Sequence, residues 1–327
     1  MQTGYNRFCK IFVNEFGIRG EYSMKIQLSD SFTYKKLLQF TFPSIIMMIF
    51  TSIYGVVDGI FVSNYAGKTP FAAINLIMPV FFIIGAIGFM IGTGGSALVA
   101  RYLGEGKTEK ANRTFSMLIY ISLGFSVVVS VLGFIFIRPI AAALGAEGAM
   151  LDNCVLYSQL LLPTMFGFIL QNEFQAFLIV AEKPQLGLLV TVAAGVTNIV
   201  LDALFVAVFR WGLAGAAIAT AMSQIIGGTI PLIYFAFSKK APLHLCRASV
   251  NYKDLLKACT NGSSEMMTNI SMSVVTILYN FQLMKFAGED GIAAYGVIMY
   301  VNFIFIGFCV GSAPIISFHF GDKTITN

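Results

Sequence analysis

Two polar side chains interrupt an apolar stretch at residues 197–206, which reads TNIVLDALFV. Asn198 and Asp202 are four residues apart, so in a helix both project from the same face. An acid near the centre of a membrane helix costs about 2.5–3.5 kcal/mol, and such groups usually mark ion or proton paths. A buried carboxyl group can take up and release a proton, and its oxygens can instead bind Na⁺, a hard cation that prefers oxygen ligands.

Two other apolar stretches contribute further polar groups. Asp58 lies fifteen residues after Pro43, and Thr220 supplies a hydroxyl in a later stretch. We predict that Asp58 and Asp202 form a proton or cation coupling site, and that Pro43 is a hinge that lets its helix bend when the site is protonated. The alternative is that these acids are purely structural members of a buried hydrogen-bond network.

Two further acids also fall within apolar stretches. Glu173 lies in the polar segment QNEFQ with Gln175, and we predict that these two residues line a cavity or form part of a gate. The alternative for Glu173 is that it extends towards the membrane surface or pairs with a basic residue of a loop. Glu265 lies early in a later stretch, in the segment NGSSEMM.

The elements that must position these groups are membrane-spanning helices. The chain is 57% hydrophobic and 11% charged, whereas soluble domains have about 25% charged residues. Its apolar runs are each long enough for a helix to cross about 30 Å of hydrocarbon. The predicted fold is therefore an all-α, polytopic membrane protein. The eight predicted spans are 41–64, 72–99, 115–138, 154–181, 186–209, 213–237, 260–286 and 292–318.

Charge placement predicts the orientation of these spans in the membrane. With the N-terminus in the cytoplasm, the cytoplasmic segments contain 17 of the 21 Lys and Arg residues and the outer segments contain 4. This bias is the one expected for cytoplasmic loops. We therefore predict a multi-pass protein of the cell membrane with a cytoplasmic N-terminus. The basic residues do not form a patch interleaved with aromatic residues, which argues against a nucleic-acid partner.

An internal repeat relates two parts of the chain. Residues 66–80 align without gaps to residues 287–301 at an offset of 221, with seven identities in fifteen positions. Six predicted spans separate the copies, an even number, so both copies have the same orientation. This arrangement predicts two parallel six-helix lobes with a substrate site between them. A second lobe that begins near residue 254 would need about 140 further residues, so we expect the chain to end after the eighth span of a longer architecture.

Four stretches of the sequence resemble multidrug and toxic compound extrusion (MATE) transporters. They are FPSIIMMIFTSIYGVVDGIFVSNYAG, RYLGEGKTEKA, LIVAEKPQLG and NIVLDALFV. The resemblance extends from about residue 29 to residue 322 and implies a twelve-span fold. It also implies that protons or sodium ions are carried by a cluster formed by Asp58, Asn198, Asp202 and Thr220. Glu265 is similar in placement to an acid of the second lobe that serves in cation coupling, although this match is looser.

The resemblance also implies a domain organisation. Residues 1–36 form a cytoplasmic N-terminal segment, residues 37–238 a complete N-lobe and residues 239–259 a cytoplasmic loop between the lobes. Residues 260–327 then form the first two helices of the C-lobe.

The resulting functional prediction is a secondary active exporter of amphipathic, cationic organic compounds, coupled to H⁺ or Na⁺ and without a cofactor. Its partners are small organic molecules and the lipid bilayer. A flippase for lipid-linked oligosaccharides and an inactive transporter fragment are the alternatives. An enzyme is not expected, because the sequence lacks HExxH, GxSxG and paired-histidine motifs.

Overall fold

The computed structural model of the chain describes residues 46–47, 50–51, 53–237 and 242–322, and for residues 300–322 it describes the backbone alone. Within these residues every regular element is helical, as the sequence predicts. Pro43, the predicted hinge, lies outside the described residues.

The described part of the chain contains eight helices. They are α1 (53–66), α2 (Lys68–Gly104), α3 (Thr108–Ala143), α4 (Gly148–Val180), α5 (Pro184–Val208), α6 (Gly212–Phe237) and the pair α7 and α8, which together occupy Tyr252–Asp322. Gly288 separates α7 from α8, because its φ of 60° and ψ of −150° are not helical. Left-handed φ values of this kind favour glycine.

Six membrane-crossing helices are found among the described residues by length and composition. They are α2 to α6 and the continuous range Tyr252–Met299. The predicted spans from 72–99 to 186–209 fall within or almost within α2 to α5. The shortest of these helices, α5, has 25 residues, which rise about 37 Å and so exceed about 30 Å of hydrocarbon. The chain is therefore a multi-pass membrane protein.

The helix α7 begins inside the range 239–259 that the sequence predicts as a loop. The Asn251 side-chain oxygen accepts hydrogen bonds from the backbone N–H groups of Lys253 (3.1 Å) and Asp254 (3.4 Å). Such capping satisfies donors that the first helical turn leaves free. The hydrophobic run that predicts the span begins later, so hydropathy alone does not predict the first turns of α7.

The loop before α7 is held against α3 by side chains spaced one turn apart. The backbone N–H groups of His244 and Cys246 donate to Asn112 Oδ1 and Ser116 Oγ, each at 2.9 Å. The Tyr120 hydroxyl donates to the Cys246 carbonyl oxygen at 3.2 Å. Because these α3 residues share one face, the loop runs along the helix in a fixed register.

A close helix–helix approach joins α2 to α7. A Cβ atom built on Gly94 would overlap Ala258 O and the backbone of Gly262, and one built on Gly262 would overlap Met90 O. The two backbones therefore touch directly, as small residues allow in membrane helices. The GTGGS segment at 92–96 thus serves helix packing.

Candidate functional site

The first part of the site is the packing of α1 against α5. Phe50, which precedes α1, and Tyr54 of α1 are four residues apart, and their rings pack over Gly195 of α5. A Cβ atom at position 195 would lie 2.5 Å from Phe50 Cε1 and 3.0 Å from Tyr54 Cδ1. Gly195 therefore brings the two helices close together one turn before Asn198.

This packing brings Asp58 and Asp202 together. Asp58 continues the α1 face one turn after Tyr54, and Asp202 lies two turns after Gly195 on α5. The two carboxyl groups lie within hydrogen-bonding reach of each other. Asp202 is fully buried, and neither of its carboxyl oxygens accepts a hydrogen bond from an N–H or O–H group within the described part of the chain.

The contact between two carboxyl groups has a simple chemical requirement. An ionised carboxylate only accepts hydrogen bonds, so a hydrogen bond between Asp58 and Asp202 requires one proton between them. Without that proton, two like charges would face each other in a buried site, which is unfavourable. One proton held between the two carboxyl groups would remove this repulsion.

Asn198 completes one side of this pair. Its side chain is 2% exposed, and its Oδ1 atom accepts no hydrogen bond within the described residues. Asn198 Oδ1, Asp58 Oδ1 and both Asp202 oxygens are thus buried acceptors without a donor. A set of carboxyl and amide oxygens also fits a hard cation such as Na⁺.

Thr220 is less directly connected. It lies half-buried on α6, the helix that packs along α5. No hydroxyl donates to Asp202 among the described residues, so Thr220 does not complete the cluster in this conformation. The structure places it on the adjacent helix, as the sequence predicts.

Both acids lie close to π-helical segments. Asp202 is the last residue before the π-helical segment Ala203–Val208, and Asp58 lies four residues before the π-helical turn Val62–Ala66. These two segments are in contact with each other. Single π-helical turns within α-helices occur frequently at functional sites, where they alter the direction of the side chains around them.

Glu173 lies in a different environment. It is fully buried on α4, next to the Ser122 hydroxyl of α3, and neither of its carboxyl oxygens has a donor of suitable geometry in the described residues. The backbone of α2 passes close by, since a Cβ atom on Gly92 would lie 3.1 Å from Glu173 Cα. Gln175 is half-buried on the same helix.

Glu265 is not brought to the acid pair. It is exposed on α7, and the Asn269 amide donates to its side chain at 3.5 Å and to its backbone oxygen at 2.9 Å. The described residues therefore contain a two-carboxyl site between α1 and α5, a single buried acid between α3 and α4, and an exposed acid on α7.

Tyr54 and Gly195 are parts of the site that sequence reasoning missed. Their signal was the spacing: Tyr54 precedes Asp58 by four residues, and Gly195 precedes Asn198 by three. Both spacings place the residues on the helix faces that contain the acids.

Comparison with known proteins supports the same fold. The family model described as MatE matches residues 43–204. The chain is 26% identical over 295 residues to the multidrug export protein MepA of Staphylococcus aureus strain MRSA252, covering 88% of this chain and 64% of that protein. MepA of Staphylococcus saprophyticus is also 26% identical, over 298 residues, which are 89% of this chain and 65% of that protein.

A solved structure shows the same helical architecture. It is the inward-facing conformation of a multidrug resistance MATE family transporter of the MOP superfamily, with a TM-score of 0.75 and 23% identity. The match covers 83% of this chain and 63% of that one, so the chain spans just under two thirds of the length of these relatives. The matched family model, the relatives and the shared fold together show that this chain is similar to MATE transporters in sequence and in fold.

Proposed function

We propose that this protein is a secondary active exporter of amphipathic, cationic organic molecules, driven by the inward flow of H⁺ or Na⁺. The names of the relatives, which are multidrug export proteins, support this class of activity. The acids in the predicted spans favour organic cations over anionic lipid-linked sugars, because a pyrophosphate group would require cationic side chains nearby.

The observation that carries the proposal is the contact between Asp58 and Asp202 across the α1–α5 interface. A proton held between the two carboxyl groups favours the close arrangement of the helices, and its release favours their separation. Ion binding can shift a conformational equilibrium only through different affinities for the two states. A site whose two halves lie on different helices supplies such a difference.

The same oxygens provide the alternative coupling ion. Na⁺ bound to Asp58, Asp202 and Asn198 Oδ1 would neutralise the pair as a proton does, and Thr220 would join as a hydroxyl ligand if α6 moved closer. In the cell, we propose that the protein lies in the plasma membrane with its N-terminus in the cytoplasm, as the distribution of Lys and Arg residues predicts.

The proposal is tested by reconstituting the purified protein in lipid vesicles and following a fluorescent lipophilic cation. We expect a proton or sodium gradient to drive its transport against its own gradient, and Asp202→Asn to abolish this transport. Glu147→Gln is a matched control, because Glu147 is an exposed acid between α3 and α4. Gradient-driven transport that survives Asp202→Asn would overturn the proposed role of the pair.

A further inference from the structure

The two copies of the internal repeat meet at one end of the helix bundle. Each copy turns at a glycine, Gly67 between α1 and α2 and Gly288 between α7 and α8. These residues are equivalent at the repeat offset of 221, and both have a left-handed φ, of 103° and 60° respectively. The sequence similarity of the two copies therefore extends to their backbone geometry.

The residues after these glycines pair between the copies. The Thr69 hydroxyl donates to Glu289 Oε2 at 2.7 Å, and the Lys68 ammonium group forms an ion pair with Asp290. By the repeat offset, Lys68 is equivalent to Glu289 and Thr69 to Asp290. In each copy, the residue directly after the glycine thus binds the second residue after the glycine of the other copy. This is the pattern that a twofold axis produces.

Farther from this end, α2 and α8 cross at equivalent residues. Asn75 and Gly296 are also 221 positions apart, and a Cβ atom on Gly296 would lie 2.5 Å from Asn75 Nδ2. The Asn280 amide donates to Asn75 O at 3.0 Å, so α7 is fixed to the same point. The pseudo-twofold axis therefore passes between Asn75 and Gly296, behind the paired turns.

We propose that Lys68, Thr69, Glu289 and Asp290 form a clasp that holds the two copies together at this end and must open once in each transport cycle. This inference rests on the proposed function, because alternating access requires one end of the bundle to open while the other is closed. The clasp residues are positioning residues, since they act by setting the separation of α2 and α8 rather than by contacting substrate.

The exposure of the clasp suits a contact that opens repeatedly. The side chains of Lys68 and Asp290 are 55% and 71% exposed, and exposed ion pairs contribute only a small margin of stability. A closed state favoured by so small a margin can be opened by ion or substrate binding. Reversing one charge replaces attraction by repulsion, and exchanging both charges restores attraction.

The test measures how readily a thiol at position 75 reacts in the protein in sealed membranes, either intact cells or inside-out vesicles. Asn75→Cys is placed in a chain from which the native cysteines have been removed, and a membrane-impermeant maleimide is applied to one side of the membrane. The native cysteines are Cys9, Cys154, Cys246, Cys259 and Cys309. A separate Lys285→Cys variant, at an exposed residue near the α7–α8 turn, reports which side of the membrane this end faces. The reagent is then applied to that side.

We expect Lys68→Asp and Asp290→Lys each to raise the labelling rate about fivefold, the factor that corresponds to about 1 kcal/mol. The double exchange should return the rate to within about twofold of the parent, because the pair is restored with its charges interchanged. Lys285→Asp is the matched control, since it reverses a nearby exposed charge outside the clasp, and it should leave the rate unchanged.

Unchanged rates in both single variants, or a double exchange that labels as fast as they do, would overturn the clasp. If a charge reversal prevents folding, Thr69→Val removes the second contact without adding charge and should also increase labelling. The labelling needs neither substrate nor an ion gradient. A loss of the clasp effect is therefore distinguishable from a failure of the vesicle transport assay.

Discussion

The α1–α5 interface contains a pair of carboxyl groups and the α3–α4 interface contains one, and the surroundings of the two sites differ. Asp202 faces a second carboxyl group on another helix, whereas Glu173 faces the Ser122 hydroxyl. Both acids are fully buried. The two acids therefore do not differ in burial, but they differ in the chemical nature of the neighbouring group.

A second carboxyl group makes the charge of the site depend on the separation of two helices. When Asp58 and Asp202 are close, one proton or one cation is needed between them, and when they are apart each can be hydrated separately. A hydroxyl partner imposes no such requirement, because Ser122 can donate to an ionised Glu173 or accept from a protonated one. We therefore expect the pair to couple ion binding to helix movement and Glu173 to affect stability.

The largest expected effect is that of neutralising one member of the pair. Asp58→Asn and Asp202→Asn should each reduce gradient-driven transport at least about a hundredfold, and the double variant should be no worse, because the two residues act as a unit. Initial rates in lipid vesicles measure this. Additive losses in the double variant would show that the two acids act independently.

A smaller effect is expected from separating the helices that carry the pair. Gly195→Ala places a methyl group against Phe50 and Tyr54, and such overpacking typically costs about 1–3 kcal/mol. Thermal unfolding of the purified protein should show a lower midpoint. Gly124→Ala is the control, since nothing lies within 4 Å of a Cβ atom there. Equal midpoints for the two variants would contradict the close α1–α5 approach.

Glu173→Gln tests the role of the buried acid in the α3–α4 interface. It keeps the size of the side chain and removes a carboxyl group that lacks a well-placed donor, so stability should be unchanged or higher. We expect transport to stay within about threefold of the parent, because Glu173 shares no ion between helices. A loss as large as that of Asp202→Asn would make Glu173 a second coupling acid.

The smallest expected effect is that of Ser122→Ala. Removing the hydroxyl should change the free energy of unfolding by about 1 kcal/mol or less in the parent, and by less still in the Glu173→Gln background. Equilibrium unfolding of the four combinations measures the coupling between the two side chains. A coupling free energy larger than the effect of either single substitution would show that Ser122 and Glu173 interact more strongly than their geometry indicates.

The sequence was sufficient to predict the helices and their order, because each apolar run had to cross the membrane as a helix. The predicted run 186–209 corresponds to Pro184–Val208, and the run 213–237 to Gly212–Phe237. The early start of α7 was not predicted, because its first turns depend on the Asn251 side chain rather than on hydropathy.

The candidate site was predictable in part. The spacing of Asn198 and Asp202 placed both on one helix face. The resemblance to MATE transporters predicted that Asp58 belongs to the same cluster. The π-helical segments after both acids were not predictable, because they depend on packing between helices distant in the sequence. The role of Gly195 was missed for the same reason, since only the structure shows that Phe50 and Tyr54 pack over it.

The direct contact between α2 and α7 has a consequence for evolution of the sequence. Because Gly94 and Gly262 bring two backbones together, neither position can accept even a methyl group unless the helices move apart. A substitution at one glycine therefore cannot be compensated by shrinking a side chain at the other, since there is none to shrink. Lineages that keep this crossing must keep both residues, so we expect them to be among the slowest-changing positions of the protein.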